Sequence, residues 1–286
     1  MKMTPPSIIH FCWFGENPQS LLIKRCLASW TRYAPEFRIM EWNEQTCDMN
    51  CCAFVKKAAE TRQWAFVSDY FRIKALTEYG GVYLDTDMEL KAPLSPWCRG
   101  HFCAAFELPH IVHAGFLYAL PNEPIMRDLK QWYEVQQPDS NGRIAFTAIP
   151  KLLTERIKEY YPSVKLNGIE QTTADGATLY SANMFTIDIS DGCCIAEHHY
   201  EGSWKANNEY GNEYHTKVCE TFRILSLAQS KSTLLRNTPV DAVMECYPLQ
   251  AVCSGLLRYA AKHWLPGYWY TWLQWLLKRK PISNKE

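Results

Sequence analysis

The chain has 286 residues, of which 47% are hydrophobic and 14% aromatic, so it can bury a large core and is not an intrinsically disordered protein. Its 30 basic residues balance its 30 acidic residues, which argues against a nucleic-acid-binding protein, since those carry a basic excess. The sequence has no N-terminal signal peptide pattern and no run of about 20 apolar residues. We therefore expect a cytoplasmic protein without a membrane-spanning helix.

The first part of the chain predicts alternating strands and helices. Apolar runs and helical spacing predict, in order, a strand, a helix, a strand and two helices, over residues 7–15, 18–35, 37–42, 51–63 and 64–81. Gly80 is expected to end the last of these helices, because a residue without Cβ turns the chain at low cost. The order favours an α/β fold with a mainly parallel mixed sheet flanked by helices.

The middle of the chain alternates less regularly. It predicts two paired strands, two helices and three short strands, over residues 101–108, 113–120, 123–135, 144–161, 177–181, 184–189 and 193–200. Pro150 is expected to interrupt the second of these helices. From Asn212 onward the pattern is helical and rich in Trp and Tyr. We predict a catalytic domain over residues 1–225 and a helical C-terminal extension over residues 226–286.

The segment "GGVYLDTD", Gly80 to Asp87, runs an apolar strand directly into two carboxylates. Asp85 and Asp87 are separated by one residue and repel each other unless a positive charge lies between them. Hard divalent cations prefer carboxylate oxygens, and open α/β sheets bind ligands at the carboxyl ends of their strands. The segment therefore predicts a divalent-cation site at these two residues.

Three stretches together resemble a known family: "HFCWFG" at 10–15, "SDYFRIKALTEYGGVYLDTD" at 68–87, and "HHYEGSW" at 198–204. They are similar to glycosyltransferase family 32, whose members are DXD-containing sugar transferases. The resemblance extends over residues 7–93 and around 198–204. It implies a GT-A-like nucleotide-sugar-binding fold, a bound Mn²⁺ or Mg²⁺, a nucleotide-sugar donor with a UDP-sugar favoured, and retention at the anomeric carbon.

The resemblance also implies residue roles. Asp87 would ligate the metal directly, Asp85 would contact the ribose and reach the metal through water, and Asp69 and Arg72 would hold the donor sugar. The residues expected to act in catalysis are Asp85, Asp87, Asp69 and Arg72. The residues expected to bind the nucleotide sugar are Trp13, Ser68, Asp69, Arg72, Tyr83, Asp85, Ser203 and Trp204. The residues expected to bind the metal are Asp87, Asp85, His198 and His199.

Physical chemistry supports these roles and also offers structural alternatives for several of them. Trp13 suits a nucleobase platform, because flat aromatic faces stack on bases, but it could also be a core tryptophan. Asp69 and Arg72 lie three residues apart on one helix face, where an ion pair is the alternative. Ser68 is a candidate N-cap, and Tyr83 a candidate core residue.

The C-terminal segment carries four tryptophans followed by a basic cluster. These residues are Trp264, Trp269, Trp272, Trp275, Lys278, Arg279 and Lys280. Trp and Tyr prefer the membrane interface, and adjacent basic residues favour anionic lipids. The pattern favours peripheral association with the inner face of the plasma membrane, and a helix packed on the catalytic domain is the alternative.

The sequence thus predicts a metal-dependent hexosyltransferase that acts on a glycan or lipid-linked oligosaccharide, in bacterial capsule or surface polysaccharide synthesis. The alternatives are a protein-glycosylating effector and a sugar-nucleotide-binding module without activity. A phosphatase of the haloacid dehalogenase type also places D-x-D after a strand. Its motif requires Thr or Val where this chain has Glu89.

Overall fold

The computed structural model describes residues 7–108, 110–188 and 192–202. The strands in these ranges are β1 (Ile8–Cys12), β2 (Arg38–Trp42), β3 (Gly81–Leu84), β4 (Met88–Leu90), β5 (Phe102–Leu108), β6 (Ile111–Ala119), β7 (Gln171–Thr172), β8 (Ala177–Tyr180) and β9 (Ala196–His198). The helices are α1 (Leu21–Tyr33), α2 (Ala53–Glu60), α3 (Trp64–Tyr79), α4 (Pro124–Glu134), α5 (Ile149–Tyr160) and α6 (Ala182–Phe185). The predicted extension over 226–286 lies outside the described residues, so the domain boundary at 225 stays a prediction.

Seven strands form one sheet in the order β2-β1-β3-β6-β5-β8-β7. β1 is parallel to β2 and β3, and β5 is parallel to β8, whereas β6 is antiparallel to β3 and β5, and β7 to β8. Only β6 and β7 therefore run against the other strands. The predicted α/β fold with a mainly parallel mixed sheet flanked by helices is confirmed.

The sheet is covered on both faces, as the continuous burial of its inner strand β3 shows. All four residues of β3 are buried. Val82 and Leu84 enter the hydrophobic cluster that contains Trp30, whereas Tyr83 enters the one that contains Phe71. Successive side chains of a strand point to opposite faces, so a strand packed on both sides reads as an unbroken apolar run. This explains why "VYL" lacks the alternation of a half-exposed strand.

A separate antiparallel pair joins the DXD segment to a distant part of the chain. β4 begins directly after Asp87, and β9 pairs with it so that Met88 lies opposite His198. This pairing, rather than closeness in sequence, brings His198 beside the two aspartates. The position of β4 is fixed from the other side by Trp30, whose indole N–H donates to the carbonyl of Met88 at 2.7 Å.

Two predicted elements were wrong. The strand expected over 184–189 is not found in its described part, residues 184–188, since α6 spans Ala182–Phe185 and buries its apolar residues as one helical turn. The helix expected from residue 144 begins only at Ile149, and Pro150 lies in its first turn. Proline is suited to that position, because the first-turn N–H has no partner within the helix. Pro150 therefore starts the helix and does not interrupt it.

Within the described ranges, no helix combines the length and apolarity needed to cross a bilayer.

Candidate active site

The turn between α3 and β3 positions the DXD segment. Gly80 adopts φ +62°, and a Cβ there would lie 2.6 Å from atoms of Pro121, so the position requires glycine. β3 then runs parallel to β1, its neighbour in the sheet. Trp13 follows the last residue of β1, and Asp85 follows the last residue of β3. Both residues therefore lie at the same edge of the sheet, the carboxyl ends of two parallel strands.

A buried arginine connects the two acidic positions predicted to contact the donor. Arg72 is 7% exposed, and its Nη2 lies 3.2 Å from Asp69 Oδ1 and 3.3 Å from Asp85 Oδ1. Its Nη1 donates to the carbonyl of Ala114 at 2.8 Å, and its guanidinium lies 4.6 Å from the ring centre of Tyr83. Burial opposes the charge, but Asp85, Tyr83 and Asp69 outweigh it and raise the pKa of Arg72. The arginine is a fixed cation between two carboxylates.

Asp69 and Asp85 have different surroundings although both contact this arginine. Asp69 is buried, and burial raises the pKa of its carboxyl to about 7, despite Arg72 and a hydrogen bond from the backbone N–H of Ile149. Asp85 is more exposed and accepts a hydrogen bond from the hydroxyl of Tyr83 at 3.0 Å. Tyr83 is thus both a core residue and an orienting partner of Asp85.

Asp87 is held by β9 and the residues that follow it. His198 Nε2 lies 3.2 Å from Asp87 Oδ1, and the backbone N–H of Glu201 donates to Oδ2 at 2.8 Å. Burial opposes ionisation, but these two partners outweigh it and lower the pKa of Asp87 to about 2. For His198, burial alone would lower the pKa, yet the carboxylates of Asp87 and Asp85 raise it. Asp87 is therefore ionised at neutral pH.

These side chains form a group that fits a divalent cation. One ligand atom from each of Asp85, Asp87 and His198 lies within 4.8 Å of the others. Two carboxylates and an imidazole form a ligand set that suits Mn²⁺, because this ion accepts nitrogen ligands as well as oxygen ligands. Mg²⁺ prefers oxygen ligands alone. The prediction that His198 joins the two aspartates agrees with this geometry.

The prediction for His199 does not agree with it. The side chain of His199 lies on the other side of the β4–β9 pair, where its Nε2 is 2.8 Å from Glu89 Oε2. Its backbone N–H donates to the carbonyl of Asp87 at 3.0 Å. Successive side chains at the end of a strand point to opposite faces, so His198 and His199 cannot both face the aspartates.

A cavity of about 410 Å³ opens beside this group. Its polar wall includes Asp69, Arg72, Asp85 and His198. Its apolar wall comes from the first turns of α3 and α5 and includes Trp64, Phe66, Ile149 and Pro150. The cavity therefore joins the candidate metal centre, the Asp69–Arg72 pair and an apolar surface in one space, as a site for a polar ligand and its reaction partner would require.

Three further cavity residues, Glu107, His113 and Tyr200, were not among the predicted site residues. Glu107 lies in β5 at an irregularity in the pairing with β6, and such bulges redirect side chains. His113 is buried, and its Nδ1 accepts the N–H of Gly115 at 3.1 Å. Burial first, then His198 and Arg72, lower its pKa, so the ring is neutral with its proton on Nε2.

The structure does not place the remaining predicted residues, Trp13, Ser68, Ser203 and Trp204, in the cavity. Trp13 is half-buried, its indole N–H donates to the carbonyl of Asn17 at 2.9 Å, and it is not among the cavity-lining residues. Ser68 lies within α3, which begins at Trp64, so it is not the N-cap of that helix. Ser203 and Trp204 lie outside the described residues, and their predicted contacts with the donor stay predictions.

Comparison with known families agrees with the resemblance noted in the sequence. Residues 22–102 match the family described as "glycosyltransferase sugar-binding region containing DXD motif". The matched range includes Asp69, Arg72, Tyr83, Asp85 and Asp87, and it ends before β6 and β9. A comparison with curated proteins found no match.

Solved structures that are similar to this chain are distant. The PaToxG glycosyltransferase has a TM-score of 0.42 and 13% identity, covering 56% of this chain and 71% of its own. A glycosyltransferase involved in glycosylation of the major capsid of PBCV-1 has a TM-score of 0.38 and 8% identity, covering 74% of this chain and 100% of its own. The galactosyltransferase LgtC, solved with donor and acceptor sugar analogues, has a TM-score of 0.35 and 14% identity, covering 75% and 95%.

Proposed function

We propose that this chain, which carries the sugar-binding region of DXD-containing glycosyltransferases over residues 22–102, is a GT-A-like, metal-dependent hexosyltransferase. It transfers one hexosyl unit from a nucleotide sugar to a glycan acceptor with retention at the anomeric carbon. The observation that carries the proposal is the convergence of Asp85, Asp87 and His198 within 4.8 Å, at a cavity that also contains Asp69 and Arg72.

The donor diphosphate is assigned to the carboxyl edge of β3. Asp85, Asp87 and His198 are the residues that would hold a Mn²⁺ or Mg²⁺ ion, which when bound neutralises charge on the departing diphosphate. Hydrogen bonds from the hydroxyl of Tyr83 and the backbone N–H of Glu201 fix the two carboxylates in place. The side chains are thus oriented before the donor arrives, which reduces the cost of binding it.

The donor sugar is assigned to the space beside Asp69 and Arg72. Carboxylate and guanidinium groups bind hydroxyls in fixed directions, and both side chains line the cavity. Arg72 is held by Asp69, Asp85 and the carbonyl of Ala114, so it cannot swing away from the site. A UDP-sugar is the favoured donor, as the family resemblance implies.

The acceptor is assigned to the side of the cavity that contains Glu107. Transfer removes a proton from the attacking acceptor hydroxyl, and Glu107 lines the same cavity as Asp85 and His198. The apolar wall from Trp64 and Phe66 suits the C–H face of a sugar ring. We assign the acceptor to a glycan or lipid-linked oligosaccharide of capsule or surface polysaccharide synthesis. The tryptophan-rich segment beyond residue 263 is proposed to associate with the membrane surface.

A panel of nucleotide sugars tests the proposed function directly. We expect hydrolysis of at least one UDP-hexose in the presence of Mn²⁺, because a transferase without acceptor slowly transfers the sugar to water. The rate should fall at least about 10²-fold when EDTA removes the metal, as expected for loss of a Lewis-acid contribution of several kcal/mol. Release of the nucleotide diphosphate is the measurement. Equal rates in EDTA and Mn²⁺ would contradict metal dependence, and no hydrolysis of any donor would favour a binding module.

Trp13 is proposed as the nucleobase platform because it follows β1 at the sheet edge that contains Asp85. Trp13→Ala should weaken the affinity for the free nucleotide diphosphate by about 1–3 kcal/mol, the usual value of one base-aromatic stack. Titration calorimetry with UDP and Mn²⁺ measures this change. Trp97→Ala, at a half-buried tryptophan that contacts Tyr180 and does not line the cavity, is the matched control and should leave the affinity unchanged. An unaltered affinity in Trp13→Ala would mean that Trp13 is a core residue and does not bind the nucleobase.

A further inference from the structure

The face of the β4–β9 pair that points away from Asp87 carries two acids directly opposite each other. Glu89 and Glu197 are register partners in the antiparallel pair, one position along from Met88 and His198. Their side chains are only 15% and 14% exposed, so solvent screens them weakly. Like charges directly opposite each other destabilise a strand pair. The pair that brings His198 to the DXD segment thus contains a repulsion that must be compensated.

Lys91 supplies compensating charge to both acids. Its Nζ lies 2.9 Å from Glu89 Oε2 and 3.1 Å from Glu197 Oε2, so one ammonium bridges both carboxylates. Arg25 and His199 contact Glu89 at 3.3 and 2.8 Å, but Arg25 is 58% exposed, and exposed ion pairs contribute little. His199 lies 4.0 Å from Glu197. Lys91 therefore contacts both acids at short distance, from a side chain that is about one-third exposed.

The same acids could be read as a second metal site, and the position of Lys91 argues against this. One ligand atom from each of Glu89, Glu197 and His199 lies within 4.8 Å of the others, as in the DXD group. Here, however, an ammonium already lies within hydrogen-bond distance of both carboxylates. A divalent cation would have to displace Lys91 and would lie next to a second positive charge, Arg25. The cluster has its countercharge from the protein.

We propose that Lys91 is a positioning residue for the candidate metal centre. By neutralising Glu89 and Glu197 it keeps β9 paired with β4, and this pairing holds His198 3.2 Å from Asp87. Lys91 is not among the cavity-lining residues and acts only through the strand pair. Its relevance to catalysis rests on the proposed function, whereas its effect on the strand pair is a property of the chain alone and can be measured without metal.

Lys91→Met tests this role, because methionine keeps an unbranched apolar stem and removes the charge. Without metal, amide hydrogen exchange of His199 should accelerate about fivefold, since this N–H bonds to the carbonyl of Asp87 across the pair. The affinity for Mn²⁺, followed by its EPR signal, should weaken by a similar factor. Lys91→Arg should restore both. The double variant Lys91→Met with Glu197→Gln should also restore both, because it removes the repulsion itself.

Lys57→Met is the matched control, since it removes a lysine from a 3.9 Å surface ion pair with Glu60 and should change neither readout. Unchanged exchange of the His199 amide in Lys91→Met would overturn the proposal. Failure of Glu197→Gln to rescue Lys91→Met would overturn it too, because a packing defect is not repaired by removing a charge. If the wild-type protein binds no Mn²⁺, the proposed function fails. The exchange rates of the metal-free variants still decide the role of Lys91.

Discussion

Asp87→Asn should lower the rate of Mn²⁺-dependent donor hydrolysis by about 10²-fold, equivalent to about 3 kcal/mol of transition-state stabilisation. The change keeps the shape of the side chain and an oxygen that accepts from the N–H of Glu201, but it removes the negative charge that faces His198. A neutral amide is a weaker ligand for a hard cation. The Kd for Mn²⁺ should therefore rise together with the loss of rate, and both are measured on the same preparation.

The control for this variant is Glu60→Gln, which removes one negative charge from the exposed end of α2. It should leave the rate and the Mn²⁺ affinity unchanged. Far-ultraviolet circular dichroism of Asp87→Asn should match that of the wild-type protein at 25 °C. If Asp87→Asn keeps full activity, or if its activity persists in EDTA, Asp87 is not a ligand of a catalytic metal.

Much of the fold could be predicted because the helices and strands of its first half follow from the apolar pattern of each segment. The strand β1, the helix α1 and the strand β2 each have their own apolar pattern, and Gly80 marks the end of α3. The reversed direction of β6 within the sheet was not predicted, because strand partners are chosen by contacts distant in sequence. The end of α6, Met184 and Phe185, was mistaken for the start of a strand because a short apolar run fits either period.

The candidate site divides in the same way. The role of Asp85 and Asp87 could be predicted from one short segment, because an apolar strand there ends in two acids. The family resemblance favoured His198 over His199, but the residues alone could not decide between them, since the choice depends on which face β9 turns towards β4. Glu107 reaches the cavity beside an irregularity between β5 and β6, and nothing in the sequence around Glu107 announces that irregularity. Pairing between strands distant in sequence thus determines which histidine faces the aspartates and how Glu107 reaches the cavity, and the motif alone does not determine either.

Arg72→Met should lower the free energy of unfolding by about 3–5 kcal/mol at pH 7, the usual cost of removing one partner from a buried ion pair. Arg72 is 7% exposed and contacts Asp69, Asp85 and the carbonyl of Ala114, so its loss leaves buried carboxylate without a countercharge. Urea denaturation at 25 °C measures the change. Arg25→Met, at a 58% exposed arginine with one ion pair to Glu89, is the control and should cost less than about 1 kcal/mol.

The loss of unfolding free energy in Arg72→Met should also depend on pH, and the direction of this dependence shows whether Asp69 is involved. The pKa of Asp69 is raised from 3.8 to about 7, mainly by burial, although Arg72 opposes this. Without Arg72 the pKa of Asp69 rises further, so above pH 7 the folded variant still holds a proton that the folded wild-type protein has released. The unfolded states of the two proteins release this proton alike, so the loss should stay nearly constant from pH 4 to 6 and grow as the pH rises from 7 to 8. Adding Asp69→Asn should flatten this dependence. An equal loss at pH 5 and pH 8 would mean that Arg72 stabilises the fold through packing alone. It would also mean that Arg72 does not compensate the charge of Asp69.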